Sequence, residues 1–202
     1  MNATDEEGRT ALHYACQDYH SDTVRLLRLL LRDPRVDTTL ADVNNRTPLW
    51  NVCLTGRKEG VEWLVASGKD LGDLTDVRKD FCDDNAVRAR QAEYQSVVML
   101  VKRFLANPAQ TRQKLRVTLG VLDELAAGLF SIIVFLCDGL LQLTPALAAD
   151  PATSRFFNIT RRLPMELQMI VCHQVYDSAK ESVLSKDSEA AFKSLAKTLL
   201  AS

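Results

Sequence analysis

The feature that most constrains this chain is a segment that occurs twice. Asp5-Glu6-Glu7-Gly8-Arg9-Thr10-Ala11-Leu12-His13-Tyr14-Ala15-Cys16 is followed 37 residues later by Asp42-Val43-Asn44-Asn45-Arg46-Thr47-Pro48-Leu49-Trp50-Asn51-Val52-Cys53. Asp, Arg, Thr, Leu and Cys recur at that offset, and so do Val24 (as Val61) and Leu27 (as Leu64). A period of this length means one small supersecondary unit copied and stacked, since a single copy cannot bury its own apolar face. Each copy reads as helical. The Thr is a helix cap, and Ala11 or Pro48 takes the first helical position. A second helix follows in each: 21 to 32, with Val24, Leu27, Leu30 and Leu31 on one face, and 58 to 67, with Val61, Leu64 and Val65. The first copy carries four more residues before Val36-Asp37, expected to lengthen its second helix by about one turn.

A shift of twice the period leads to Val98, Leu100, Val101, Phe104 and Leu105. Residues 84 to 107 therefore read as a degenerate third helix pair, its opening worn to Asp84-Asn85-Ala86-Val87. The acidic stretch between, Lys69 to Asp83, reads as an extended or mobile loop. From Asn107-Pro108 onward a stripe of Leu115, Leu119, Leu122, Leu125, Leu129, Ile132, Ile133 and Leu136 predicts long helices, with Gly120 and Gly128 as candidate breaks. A helix opened by Pro164 follows, with Leu167, Ile170, Val171, Gln174 and Val175 expected on its buried side. A last helix carries Phe192, Leu195, Ala196, Leu199 and Leu200. The fold class expected is all-α: a repeat region over 1–107 and a helical domain over 108–202 that caps the stack.

Composition agrees and narrows the function. With 47% hydrophobic residues the chain can bury a core, and with 6% aromatics, 8 Gly and 6 Pro it lacks the material for many tight hairpins. A net charge of -1 weighs against a nucleic-acid surface. The longest apolar run, Leu125 to Cys137, is 13 residues, too short to span a bilayer. The N-terminus is polar and acidic. The five cysteines are odd in number and scattered, as expected of reduced thiols in the cytoplasm or nucleus.

The repeated segment resembles the ankyrin repeat, D-x-x-G-x-T-P-L-H-x-A-A, and Gly68-Lys69-Asp70 resembles the turn that closes its second helix. The resemblance implies an all-α stack of two clear units and one degenerate one, whose function is non-catalytic protein binding with no cofactor. It implies that His13 ties its repeat to the next, a tie that Trp50 interrupts in the second unit. It places the binding surface on the fingers and first helices: Arg9, Tyr14, Gln17 and Asp18 in unit one, and Arg46, Trp50, Asn51 and Leu54 in unit two. Trp50 has two readings there, an exposed anchor or a filler against unit three.

A second resemblance lies at 163–176. Leu163-Pro164-Met165-Glu166-Leu167-Gln168-Met169-Ile170 is similar to the opening helix of an F-box and of the PRANC segment that follows ankyrin repeats in poxvirus proteins. The order of the parts also resembles short ankyrin proteins of mushroom-forming fungi. That implies a second function, substrate adaptor of a Skp-type ubiquitin ligase, through Leu163, Pro164, Glu166, Leu167 and Ile170. The D-L-x-x-L turn and Trp-bearing third helix of the F-box do not follow Tyr176.

Other groupings carry bland readings. His13, Cys16 and His20 would need a further ligand to hold a metal, so no metal is expected. Cys172 and His173 are adjacent and point about 100° apart on a helix, so they do not pair as nucleophile and base. Arg155, Arg161 and Arg162 flank Phe156 and Phe157, and read as solvated charges beside core aromatics. Neither nucleic acid nor a membrane is expected as partner. At the outer face of unit one, Leu12, Val24 and Leu27 are expected to be partly exposed or to pair with another chain.

Overall fold

The computed structural model describes residues 2–17, 22–82, 94–176, 178, 180 and 182–200. Among these there are twelve α-helical segments and no β-strand, only an isolated bridge between Thr4 and Thr10. The chain divides into two compact units, Met1–Leu119 and Gly120–Ser202.

Unit 1 is an all-α repeat stack. Its helices are α1 (Ala11–Gln17), α2 (Asp22–Arg32), α3 (Pro48–Leu54), α4 (Lys58–Ser67), α5 (Thr75–Val77), α6 (Gln95–Ala106) and α7 (Pro108–Thr118). The first helices α1 and α3 pack on each other, as do the second helices α2 and α4, and α4 packs on α6. Most of the recurring apolar positions are buried: Leu12, Cys16 and Leu27 in the first copy, Leu49, Cys53, Val61 and Leu64 in the second, whereas Val24 is half-buried. Of the three residues expected to be partly exposed at an outer face, Leu12 and Leu27 are fully enclosed and Val24 is half-buried. The surface of α2 is made by Leu26 and Leu29 instead.

The recurring Asp and Arg have a backbone reason. Asp5 Oδ1 accepts the amides of Glu7 (3.1 Å) and Arg9 (2.7 Å), and Asp42 Oδ1 those of Asn44 (2.8 Å) and Arg46 (2.9 Å). Each Asp therefore closes the finger turn before its helix pair. That turn requires a positive φ, supplied by Gly8 (+74°) and, 37 residues on, by Asn45 (+60°), the side chain that best tolerates it. The two fingers join through the Val43 amide, which donates to the Glu7 carbonyl at 3.0 Å.

Three expectations are corrected in this unit. The extra residues of the first copy do not extend α2. They form the turn Asp33-Pro34-Arg35, where Asp33 binds the backbone and guanidinium of Arg35 (2.7 to 3.0 Å), and Lys69 Nζ reaches across to the carbonyls of Asp33 (2.8 Å) and Val36 (2.7 Å). The acidic stretch after Lys69 is no loose loop. Leu71, Val77 and Phe81 are fully enclosed, and α5 runs on as a π-helical turn, Arg78–Cys82, that packs on α6. This is the first helix of the third unit, and α6 is its second. The proposed start at 84–93 lies outside the described residues. Finally, α7 belongs to this unit, so the compact region ends at Leu119 and not at 107. Asn107 caps α7 by accepting from the Gln110 amide at 3.1 Å, and Arg116 Nε donates to the Ala66 carbonyl at the end of α4 at 2.8 Å.

Unit 2 comprises α8 (Val121–Cys137), α9 (Pro145–Ala149), α10 (Pro151–Thr160), α11 (Met165–Val175) and α12 (Ser185–Leu200). Gly120, at φ +72°, sits at the break before α8. Gly128 does not break the helix, since α8 continues through it. Helices α11 and α12 both pack on α8. The core is Ala126, Phe130, Ile133 and Cys172, with Phe192 stacked 5.7 Å from Phe135 and edge-on at 6.2 Å to Phe130. Helix α11 is rolled relative to expectation. Its buried residues are Gln168, Cys172 and His173, while Leu167 and Val175 face outward. Gln168 Nε2 donates to the Leu163 carbonyl at 3.0 Å and His173 Nε2 pairs with the Ser182 carbonyl at 3.0 Å, so each enclosed side chain has a polar partner, while His173 Nδ1 has none among the described residues.

Candidate protein-binding face

The face made by the fingers and first helices begins with His13. It is fully enclosed, and both ring nitrogens are engaged. The Thr10 amide donates to Nδ1 at 3.1 Å, which makes Nδ1 an acceptor and puts the proton on Nε2. Nε2 then donates to the Arg46 carbonyl at 3.1 Å, tying finger two to helix α1. Burial pulls the His13 pKa below its ordinary value, so the ring stays neutral, as that hydrogen-bond pattern requires.

At the equivalent position Trp50 replaces the tie rather than losing it. Its indole N–H donates to Asp80 Oδ2 at 2.9 Å, and its ring meets Phe81 edge-on at 5.9 Å. Both partners lie on the third unit's first helix. Trp50 is only 5% exposed, so it is the filler and not the anchor. Asn51 is likewise fully enclosed and offers no surface. Leu54 is half-buried and its carbonyl accepts the Tyr94 hydroxyl at 3.1 Å. Gln17 is half-buried, and Asp18 lies outside the described residues.

What remains on the surface is a short row of preset groups. Tyr14 is 47% exposed, and its hydroxyl donates to Asp5 Oδ2 at 2.5 Å. Arg9 closes the triangle: Nε lies 3.1 Å from Asp5 Oδ2, Nη2 lies 2.9 Å from Glu7, and its guanidinium sits 4.9 Å from the Tyr14 ring centroid. The Tyr14 hydroxyl, then the Arg9 amide and guanidinium, hold the Asp5 carboxyl down at about 2. Further along, Arg46 is exposed and lies 4.4 Å over the Trp50 ring. Asp5, Asp76 and Asp80 also belong to this face, and the sequence pattern does not mark them for it. The last two lie in the acidic stretch after Lys69, and Asp76 accepts from Asn45 Nδ2 at 3.2 Å.

Residues 1–74 match the family model described as ankyrin repeats (3 copies). No curated protein and no solved structure matches the chain. The N-terminal 74 residues thus carry ankyrin repeats, which are in general protein–protein interaction modules and typically non-catalytic. The match stops one residue short of α5.

The remaining candidates fall out as follows. Cys16, Cys53 and Cys82 occupy one position of three successive units, and burial pushes the Cys16 and Cys53 thiols far up; for Cys53 the neighbouring Cys82 and Cys16 add to it. His20 lies outside the described residues. Cys172 is pushed up to about 12 by burial. Phe156 and Phe157 pack against the core of unit 2 beside exposed Arg155, Arg161 and Arg162. Of the F-box-like residues, Pro164, Glu166 and Leu167 are exposed and Leu163 and Ile170 half-buried. Among the described residues no single helix is long and apolar enough to cross a membrane.

Proposed function

We propose that the finger and first-helix face of unit 1 docks a protein partner, and that the chain acts by this binding and not by catalysis. The observation that carries the proposal is the Asp5–Tyr14–Arg9 triangle with Arg46 beside it. Tyr and Arg are the side chains that most often dominate interfaces. Here each is already held by a neighbour, so less rotamer freedom is lost when a partner arrives. The ankyrin match over 1–74 supports the same face. The free state of all five thiols supports assignment to the cytoplasm or nucleus.

Photo-crosslinkers placed at positions 14 and 46, with exposed Lys102 of α6 as control, test the proposal. The expected result is one shared adduct from 14 and 46 and none from 102. With that partner purified, Tyr14→Ala combined with Arg46→Ala weakens binding at least ~10-fold, about 1.4 kcal/mol. Equal adducts from all three positions refute the assignment.

A second reading, a ubiquitin-ligase adaptor working through Leu163, Pro164, Glu166, Leu167 and Ile170, draws support from the outward position of Pro164, Glu166 and Leu167 alone. A pull-down with a purified Skp-type adaptor decides it. No binding by a folded chain eliminates it.

A further inference from the structure

We propose that unit 2 holds a binding site for a medium-chain alkyl carboxylate, in the pocket between the C-terminal end of α8, the loop after it, and α10. The pocket has a volume of about 300 Å³. That is roughly twice the ~150 Å³ apolar cavity known to take up benzene, so it suits an alkyl chain of moderate length.

Its lining is graded. Ile133, fully enclosed, forms the floor, and half-buried Leu136, Leu141, Leu143 and Phe157 form the walls. The exposed rim is polar: Gln142, Asn158 and Arg161. The walls are held open by backbone. The amides of Leu140 and Leu141 both donate to the Phe135 carbonyl (2.9 and 3.1 Å), pinning the loop onto the end of α8. Apolar walls below a polar rim are the layout of a small-molecule site.

The charge at the rim selects the head group. Among the described residues no acidic side chain lines the pocket. The Arg161 guanidinium has no carboxylate partner among the described residues, and Arg162 follows it in sequence. Asn158 Nδ2 donates to Ser154 Oγ at 3.3 Å, and the Gln142 side chain makes no hydrogen bond among the described residues. A carboxylate at the rim would meet a guanidinium that forks onto two oxygens, while its chain covers the leucines.

A reporter is built in. Cys137 is exposed, whereas the other four thiols are buried. Its Sγ donates to the carbonyl of the rim residue Arg161 at 3.7 Å. An occupant of the pocket should therefore slow its alkylation.

The experiment uses the full chain, with octanoate and octanol as probes. Maleimide alkylation of Cys137 and the line width of carboxyl-labelled octanoate are read together. Octanoate is expected to slow alkylation saturably, at least fivefold, with octanol at least tenfold weaker. Arg161→Gln brings octanoate down to the level of octanol. Leu143→Glu abolishes both signals, and Leu141→Gln weakens them if Leu143→Glu fails to fold. Octanol binding as well as octanoate, Arg161→Gln retaining full affinity, or no saturable change in either readout at millimolar octanoate overturns the proposal.

Discussion

Gly60, the third residue of α4, faces Val52 of α3, and replacing it with Ala sets two known effects against each other. In a helix interior Gly→Ala gains at most ~1 kcal/mol from propensity. Yet a Cβ at Gly60 would stand 2.4 Å from Val52 Cγ2, where carbon atoms ordinarily stop at about 3.5 to 4.0 Å. Val52 is enclosed and β-branched, so it has essentially one χ1 well in a helix and cannot swing aside. Overpacking of this kind costs ~1–3 kcal/mol, and an overlap above an ångström against a stiff side chain belongs in the upper part of that range. The other near neighbour, Leu27 Cδ2 at 3.8 Å, is ordinary contact. The net expectation is that Gly60→Ala destabilises unit 1 by about 1–2 kcal/mol, although propensity alone forecasts a gain.

The assay follows from the placement of the two tryptophans. Trp50 and Trp63 both lie in unit 1, so urea unfolding followed by tryptophan fluorescence reads that unit without contribution from unit 2. Val52→Ala supplies the second arm. Alone it opens a cavity and destabilises. Combined with Gly60→Ala it removes the clash and lets the new methyl group occupy part of the vacated space. The double variant should then be about 2 kcal/mol more stable than the sum of the two single effects, within the range of coupling for residues in contact. Stabilisation by Gly60→Ala, or additivity within ~0.5 kcal/mol, would show that α3 and α4 do not pack as described.

Further outcomes follow from the same geometry. Phe81→Ala, at a fully enclosed side chain edge-on to Trp50, should cost ~3–5 kcal/mol in the same assay and shift Trp50 emission to the red; a surface-like cost below ~1 kcal/mol would place Phe81 outside the stack. The depressed pKa of His13 means that the unfolded chain takes up a proton more readily than the folded one. Its contribution is therefore intact above the ordinary value of 6.5 and is lost as pH falls below it, and His13→Gln should flatten the urea midpoint between pH 7.5 and 5. Tyr14→Phe removes the largest cause of the low Asp5 pKa, so carboxyl NMR should find that group moved from about 2 toward 3.8. Native alkylation should modify one thiol quickly, Cys137, with the other four reacting only on unfolding.

Much of unit 1 was legible because backbone chemistry and packing repeat together. Asp5 and Asp42 close identical turns, Thr47 caps α3 by accepting the Trp50 amide at 3.3 Å, and Leu12 and Leu49 fill the same space, so the residue types recur at one offset. The candidate face was legible only by position. Tyr14, Arg9 and Arg46 remain at the surface, but the enclosure of Trp50 and Asn51 depends on what lies opposite them, and nothing in the repeat itself states that. In unit 2, α8 and α11 could be placed from the leucine stripe and Pro164. The inward face of α11 could not. Hydrophobicity favours Leu167 and Val175, whereas the helix buries Gln168 and His173, which bond the carbonyls of Leu163 and Ser182.

The third unit shows where period counting fails. A shift of 74 residues leads to a start near residue 84, whereas Thr75 follows Thr47 by only 28. The finger before it is short, and the helix then gains a residue: Leu49 is followed by Val52 and Cys53 at three and four positions, Val77 by Phe81 and Cys82 at four and five. A π turn over Arg78–Cys82 absorbs that extra residue and returns Phe81 and Cys82 to the buried face. Two opposite changes in length thus hide the unit from any fixed offset, and the family match ends at residue 74, between them. The buried cysteine survives both changes. Cys16, Cys53 and Cys82 are all enclosed, and burial first, then the neighbouring Cys82 and Cys16, raises the Cys53 pKa. What is preserved from unit to unit is the small enclosed volume at that point, and the count of residues between one such point and the next is free to vary.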